Sequence, residues 1–199
     1  MADYVLVHGA QKDSSIWDRV AMLLAEHGHG VFAPTLSAPS GSTLAEHVSE
    51  VCELIRREEL KHVILVGHSY ASFVITGVAD RIPSKVDRLV YVDSAIPVDG
   101  ASLYGMFKTV GVASEDYDLP QDPPFLEPLY FDEERIREIP KVYIHCTHSE
   151  FIFVARPFFE KVIDSAGRDN WECHAIESDH ACMISHPEEI AGILMLDVD

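Results

Sequence analysis

The chain has 199 residues, the length of one domain, and can bury enough surface to fold without a disulfide or metal. Hydrophobic residues make up 47% and charged residues 24%, which excludes a disordered or fibrous protein. There are 33 acidic residues against 15 basic ones, a net charge of −18, which disfavours nucleic acid and anionic membranes as partners. The acidity is typical of a soluble surface, and the alternative interpretation is a bias against anionic substrates.

Localisation follows from two features of the sequence. No apolar run approaches the roughly 20 residues that span a bilayer, and the first residues carry no basic leader, so we expect a cytoplasmic protein. The four cysteines form no C-x-x-C pair, and we expect them to be buried, reduced thiols.

Short apolar runs alternate with helical patterns along the chain. In chain order, strands are predicted over residues 4–7, 31–33, 63–66, 86–92, 141–146 and 171–176. Helices are predicted over 15–27, 43–58, 69–81, 154–166 and 187–195. This alternation favours an α/β fold: a doubly wound, mostly parallel sheet of six strands with helices on both faces.

Residues 97–140 interrupt the alternation. This segment carries six prolines, and we interpret it as a cap inserted within a single domain of residues 1–199. Its large apolar side chains either pack the cap onto the core or line a pocket: Leu103, Tyr104, Phe107, Phe125, Leu126, Leu129, Tyr130 and Phe131.

A candidate nucleophile lies in the segment Val63-Ile-Leu-Val-Gly-His-Ser-Tyr-Ala71. A buried strand, a sharp turn and a helix would expose the Ser69 hydroxyl at the carboxyl edge of the sheet, beside the N–H groups that begin the helix. The pattern G-x-S-x-G ends here in Ala71, a small residue that still allows helix and strand to approach.

Two further segments end at the same sheet edge. His8-Gly9-Ala10 follows the first strand, and the backbone N–H groups of Ala10 and Tyr70 are candidate donors to an oxyanion. A simple glycine turn is the alternative interpretation of that segment. His180 follows the last strand in Ser178-Asp179-His180-Ala181 and is the candidate general base.

Together these motifs resemble the α/β-hydrolase superfamily, and within it the plant methylesterases and hydroxynitrile lyases with their bacterial relatives. The resemblance covers nearly the whole chain and implies a serine esterase acting on a small uncharged ester, without a metal or organic cofactor. The lyases of this group have a lysine after the histidine and a hydroxyl residue near the first strand, where this chain has Ala181 and Ala10. A ligand-binding, receptor-like member and a cofactor-free lyase remain the alternatives, and a homodimer is left open.

The acid that would orient His180 is ambiguous in the sequence. The family's usual position, after strand 141–146, is occupied by Ser149, which cannot orient an imidazolium. Asp93 ends the strand that neighbours the nucleophile strand, and Glu150 lies one residue beyond Ser149. We favour Asp93 over Glu150, with a loop-capping role as the alternative for Asp93.

Other chemistries lack their motifs. No glycine-rich phosphate loop is present, and His145 and His148 have no metal-binding pattern around them.

Overall fold

A computed structural model, which describes residues 1–165, 170–196 and 198, contains a parallel sheet of six strands in this part of the chain. The strands are β1 (Asp3–Val7), β2 (Gly30–Phe32), β3 (Val63–His68), β4 (Val86–Val92), β5 (Lys141–Cys146) and β6 (Trp171–Ile176). Their order across the sheet is β2-β1-β3-β4-β5-β6, and each neighbouring pair is parallel. The predicted fold class is confirmed.

The α-helices of the described residues lie between and beyond the strands. They are α1 (Asp18–Glu26), α2 (Leu44–Arg57), α3 (Ala71–Arg81), α4 (Leu103–Thr109), α5 (Pro123–Leu126), α6 (Glu133–Ile136), α7 (Ile152–Ser165), α8 (Cys182–Ser185) and α9 (Pro187–Leu194). The sequence predicted α7 over residues 154–166. The helix begins at Ile152, two residues earlier, and residue 166 lies outside the described residues.

The strands are apolar on both faces because helices cover both faces. In β1, Val5 and Val7 face a core formed largely with α2, α3 and α7, and Tyr4 and Leu6 face a second core formed largely with α1 and α9. All four side chains are fully buried. Alternation along each strand therefore divides the apolar residues between two cores rather than between core and solvent.

The start of the first helix differs from the prediction. A 3-10 turn over Ser14–Trp17 precedes α1, and the Asp13 side chain accepts a hydrogen bond from the backbone N–H of Ser15. Because the apolar residues Trp17 and Val20 keep their spacing through the turn, the sequence pattern could not separate it from the α-helix.

The segment 97–140 contains the short helices α4, α5 and α6 and packs mainly on the helical layer of α2 and α3. Leu103, Phe107 and Phe125 are buried, whereas Leu126 and Tyr130 are exposed. That this segment works as a cap within one domain stays a prediction.

The cysteines are free thiols. Cys52, Cys146 and Cys182 are buried as expected, and Cys173 is only half-buried because it lies on the edge strand β6.

Candidate active site

Parallel pairing brings the carboxyl ends of β1, β3, β4, β5 and β6 to one edge of the sheet. Ser69 directly follows β3, Asp93 follows β4, and His180 lies four residues beyond the end of β6. Three candidate residues that are far apart in sequence therefore share one edge.

Ser69 lies at a sharp turn between β3 and α3. Its φ is +53°, in the left-handed region that non-glycine residues rarely adopt. Its N–H donates to the carbonyl of Val92 at 3.0 Å, and its carbonyl accepts from the N–H of Ser72 at 3.1 Å. The sequence placed Ser69 inside the helix, but α3 begins only at Ala71, because the positive φ ends the strand and the helix begins after it.

Two glycines allow the close packing around this turn. A Cβ atom on Gly67 would lie 2.8 Å from the carbonyl oxygen of Ala71, and one on Gly9 would lie 3.1 Å from the Cβ of Ser69. The loop after β1 therefore lies directly against Ser69.

We expect Gly67→Ala to lower the free energy of unfolding by about 1–3 kcal/mol, since the added methyl group forces the strand and α3 apart. Urea unfolding measures the effect, and Gly41→Ala is the control because a Cβ there meets no atom within 4 Å. Equal unfolding midpoints for the two variants would contradict this account of the turn.

Asp93 and His180 form a direct pair. The Nδ1 atom of His180 lies 2.7 Å from Oδ2 of Asp93, and the Asp93 side chain is fully buried. Asp93 has a φ of +42°, and the N–H of Cys146 donates to its Oδ1 at 3.2 Å. A buried carboxylate held in this way fixes the orientation and the tautomer of the imidazole.

The surroundings of Asp93 keep it ionised. Burial alone would raise the pKa of Asp93, but the imidazoles of His145 and His180 and the Ser149 hydroxyl together hold this pKa well below its ordinary value. His145 Nδ1 lies 3.6 Å from Oδ1 of Asp93, and the Ser149 hydroxyl donates to Oδ2. The carboxylate can therefore stabilise a positive charge on His180 at neutral pH.

Glu150 has a different position. Its side chain is exposed, and its Oε2 lies 3.4 Å from the backbone nitrogen of His180, which donates to it. The described structure records no contact between this carboxylate and the imidazole ring. Of the two acids that the sequence left open, Asp93 is the one that contacts Nδ1.

The ring of His180 is packed between two residues that the sequence interpretation missed. The ring centroids of His68 and Phe151 lie 4.4 Å and 4.8 Å from that of His180, and the Nε2 of His68 donates to the His180 carbonyl at 2.9 Å. Burial lowers the pKa of His68 well below its ordinary value, and nearby His180 lowers it further, so His68 is neutral at pH 7. The sequence could have indicated His68 as a site residue, because His68 ends β3 at the same sheet edge as Ser69.

A cavity of about 340 Å³ joins Ser69 and His180. Its apolar wall includes Leu103 and Phe107 of α4 together with Phe151. Charged side chains also border it: Lys12, Asp116, Asp118 and Glu150. The volume lies in the range of small-molecule sites.

The two candidate oxyanion donors, Ala10 and Tyr70, belong to the segments that meet at Ser69. Ala10 borders the cavity, and Tyr70 directly follows Ser69 at the start of α3. The Tyr70 side chain is turned away and buried, with its hydroxyl 2.9 Å from Nδ1 of His47 and its ring against Phe125. These contacts anchor the backbone next to Ser69.

In the described part of the chain, no group of three or more His, Cys, Asp or Glu side chains is arranged to hold a metal ion. None of the helices described there is long and apolar enough to cross a membrane.

Sequence comparisons identify relatives of this chain. A profile described as the alpha/beta hydrolase family matches residues 4–132. The carbendazim hydrolyzing esterase of Nocardioides sp. (strain SG-4G) is 45% identical over 114 residues, which are 53% of this chain and 47% of that protein. The alpha-hydroxynitrile lyase of Arabidopsis thaliana is 34% identical over 104 residues, which are 47% of this chain and 40% of that protein.

The fold also matches solved structures. An extracellular alpha/beta-hydrolase from a Paenibacillus species superimposes with a TM-score of 0.78 at 20% identity, covering 98% of both chains. The chain matches only 29% to 47% of the length of four curated relatives, two of which are plant methylesterases by name. These matches confirm the resemblance that the three sequence motifs predicted.

Proposed function

Because the chain belongs to the alpha/beta hydrolase family, we propose that it is a serine esterase that cleaves a small, uncharged carboxylic ester. The observation that carries the proposal is the buried Asp93–His180 pair, whose imidazole borders the same cavity as Ser69. Bacterial and plant relatives named as esterases support ester hydrolysis as the reaction.

The first half of the proposed reaction forms an acyl-enzyme. The Ser69 oxygen attacks the ester carbonyl carbon while Nε2 of His180 takes the hydroxyl proton, since Nδ1 is held by Asp93. The carbonyl oxygen becomes an oxyanion, which the backbone N–H groups of Ala10 and Tyr70 stabilise. Collapse of the tetrahedral intermediate breaks the bond to the alcohol, which leaves with the proton from His180.

The second half releases the acid. Water donates a proton to His180 and attacks the acyl carbonyl, and the resulting intermediate expels Ser69, which regains its proton. Asp93 stays ionised throughout, because its pKa is held well below its ordinary value.

Two residues favour hydrolysis over cyanohydrin cleavage. Ala181 follows His180 where the lyases have a lysine, and Ala10 stands where they have a hydroxyl residue. Position 181 therefore supplies no ammonium group beside His180 for a departing cyanide, and position 10 supplies no hydroxyl group for a cyanohydrin.

Steady-state turnover tests the proposal. We expect the protein to release many equivalents of p-nitrophenol from p-nitrophenyl acetate, and carbendazim is a second test substrate, since the Nocardioides relative is named for its hydrolysis. A ligand-binding member of the family would bind such an ester without releasing p-nitrophenol. Cleavage of a cyanohydrin in place of esters would favour the lyase alternative.

The charges around the cavity predict a preference among esters. The cavity is bordered by more acidic side chains (Asp116, Asp118 and Glu150) than basic ones (Lys12). At low salt, kcat/KM for the neutral ester p-nitrophenyl acetate should therefore be about tenfold higher than for the anionic ester mono-p-nitrophenyl succinate. Added salt should narrow this ratio because it screens exposed charges, and Glu150→Gln should narrow it too. Equal kcat/KM values for the two esters at low salt would contradict the predicted preference.

A further inference from the structure

Ser149 touches the acid of the proposed triad. Its hydroxyl donates to Oδ2 of Asp93, the same oxygen that accepts from Nδ1 of His180 at 2.7 Å. Ser149 is itself buried, with 4% of its surface exposed. The sequence analysis judged Ser149 unable to orient an imidazolium. In the structure Ser149 instead donates a hydrogen bond to Asp93, the carboxylate that contacts the imidazole of His180.

We propose that Ser149 is a positioning residue. Its hydroxyl fixes the orientation of the Asp93 carboxylate and, together with His180, shares the negative charge of that carboxylate. This inference rests on the proposed function, in which Asp93 orients the general base. The hydrogen bonds recorded for the Ser149 hydroxyl go to Asp93 and Phe151 and not to the Ser69 oxygen or Nε2 of His180, so Ser149 acts through Asp93.

The geometry gives the hydroxyl two effects on the acid. Asp93 leaves its strand at a positive φ and is fully buried, so its side-chain direction depends on fixed donors rather than on water. The N–H of Cys146 holds one carboxylate oxygen, and the Ser149 hydroxyl holds the other beside His180. Each donor also withdraws charge from the carboxylate, so the hydroxyl limits how strongly Asp93 stabilises protonated His180.

Ser149 also links the acid to the wall of the cavity. Its oxygen accepts the N–H of Phe151 at 2.9 Å, and the Phe151 ring packs on His180 while bordering the cavity. One serine side chain therefore fixes the acid and the loop that holds the base in place.

Other titratable groups surround the pair and remain unchanged in the variants below. Those packed around Asp93 are on β5: Tyr143, His145 and Cys146. Those facing His180 are His68 of β3 and Glu150 of the loop after β5, with Lys12, Asp116, Tyr117 and Asp118 around the cavity. A shift that appears only when the Ser149 hydroxyl is removed is therefore due to that hydroxyl.

The test compares Ser149→Ala, which lacks the hydroxyl, with Ser149→Thr, which keeps it. We expect Ser149→Ala to lower kcat/KM about 10- to 100-fold, mainly through kcat, since it removes a hydrogen bond to a charged group. The acidic limb of the kcat/KM–pH profile should move to higher pH, because the Asp93 carboxylate, once it no longer accepts from Ser149, interacts more strongly with protonated His180. Ser149→Thr, which keeps the hydroxyl, should retain most of the wild-type activity and the wild-type position of the acidic limb.

Ser94→Ala is the matched control. Ser94 is also fully buried and adjoins Asp93, but its hydroxyl has no hydrogen-bond partner among the described residues. We expect this variant to keep both kcat/KM and the pH profile, whatever its effect on unfolding in urea. A loss of activity without a shift of the acidic limb would reduce Ser149 to a structural role and overturn the inference.

Asp93→Asn separates failure of this inference from failure of the proposed function. If Asp93→Asn is inactive while Ser149→Ala is fully active and its acidic limb stays at the original pH, the inference about Ser149 is wrong and the proposed function stands. Full activity in both variants would overturn the role of Asp93 itself. In the Asp93→Asn background, Ser149→Ala should have little further effect, because the carboxylate through which it acts is gone.

Discussion

Ser69→Ala should lower kcat for ester hydrolysis by a factor on the order of 10⁴–10⁶ while the fold is retained. The reason is that the substitution removes the attacking oxygen without filling or emptying the core, because Ser69 borders the cavity. Hydrolysis of p-nitrophenyl acetate measures the loss, and circular dichroism checks the fold.

Ser72→Ala is the matched control for this prediction. Ser72 lies three residues further along, in the first turn of α3, and its buried hydroxyl has no hydrogen-bond partner in the described structure. We expect it to keep wild-type activity. Undiminished turnover by a folded Ser69→Ala protein would contradict the assignment of the nucleophile.

Asp93→Asn should lower kcat by about 10⁴, the loss seen for the corresponding change in a serine protease, with little change in KM. The amide keeps the shape of the side chain but offers an N–H₂ group where His180 Nδ1 needs an acceptor. Glu150→Gln should lower kcat less than about tenfold, because this exposed carboxylate accepts a hydrogen bond from the backbone of His180, whereas Nδ1 of the ring contacts Asp93.

Both variants are measured on one neutral ester across a range of pH. An inactive Glu150→Gln protein beside an active Asp93→Asn protein would show that the acid lies in the loop after β5. The assignment of Asp93 would then be wrong.

Strand positions were predictable because buried parallel strands are continuous apolar runs. β4, β5 and β6 begin and end where the sequence placed them. Since parallel strands present their carboxyl ends at one edge, the sequence also predicted that Ser69, Asp93 and His180 meet there.

Backbone conformations outside regular elements were not predictable from hydrophobic spacing. The helical pattern continued back to Ser69, but the positive φ at Ser69 leaves no periodic signal, and the helix begins at Ala71. The same limit applies to the segment 97–140. Its prolines break any period, so the pattern did not distinguish buried Phe107 from exposed Tyr130.

The contacts of Ser149 and Glu150 depended on side-chain directions that a sequence does not give. These neighbours point to different parts of the site, one to Asp93 and the other to the His180 backbone. Adjacent loop residues diverge in this way because each φ and ψ pair rotates the next side chain. The sequence therefore favoured Asp93 over Glu150 only because Asp93 ends the strand beside the nucleophile strand, and it did not predict the contacts of either side chain.

Covalent labelling with a fluorophosphonate tests the central claim, that Ser69 is a nucleophile activated by His180. The account predicts stoichiometric phosphonylation of Ser69, located by mass spectrometry of the proteolysed protein, with simultaneous loss of esterase activity. Labelling should be absent from Ser69→Ala and strongly slowed in His180→Ala. Stoichiometric labelling of a different residue, or ester turnover that persists after Ser69 is fully labelled, would contradict the claim.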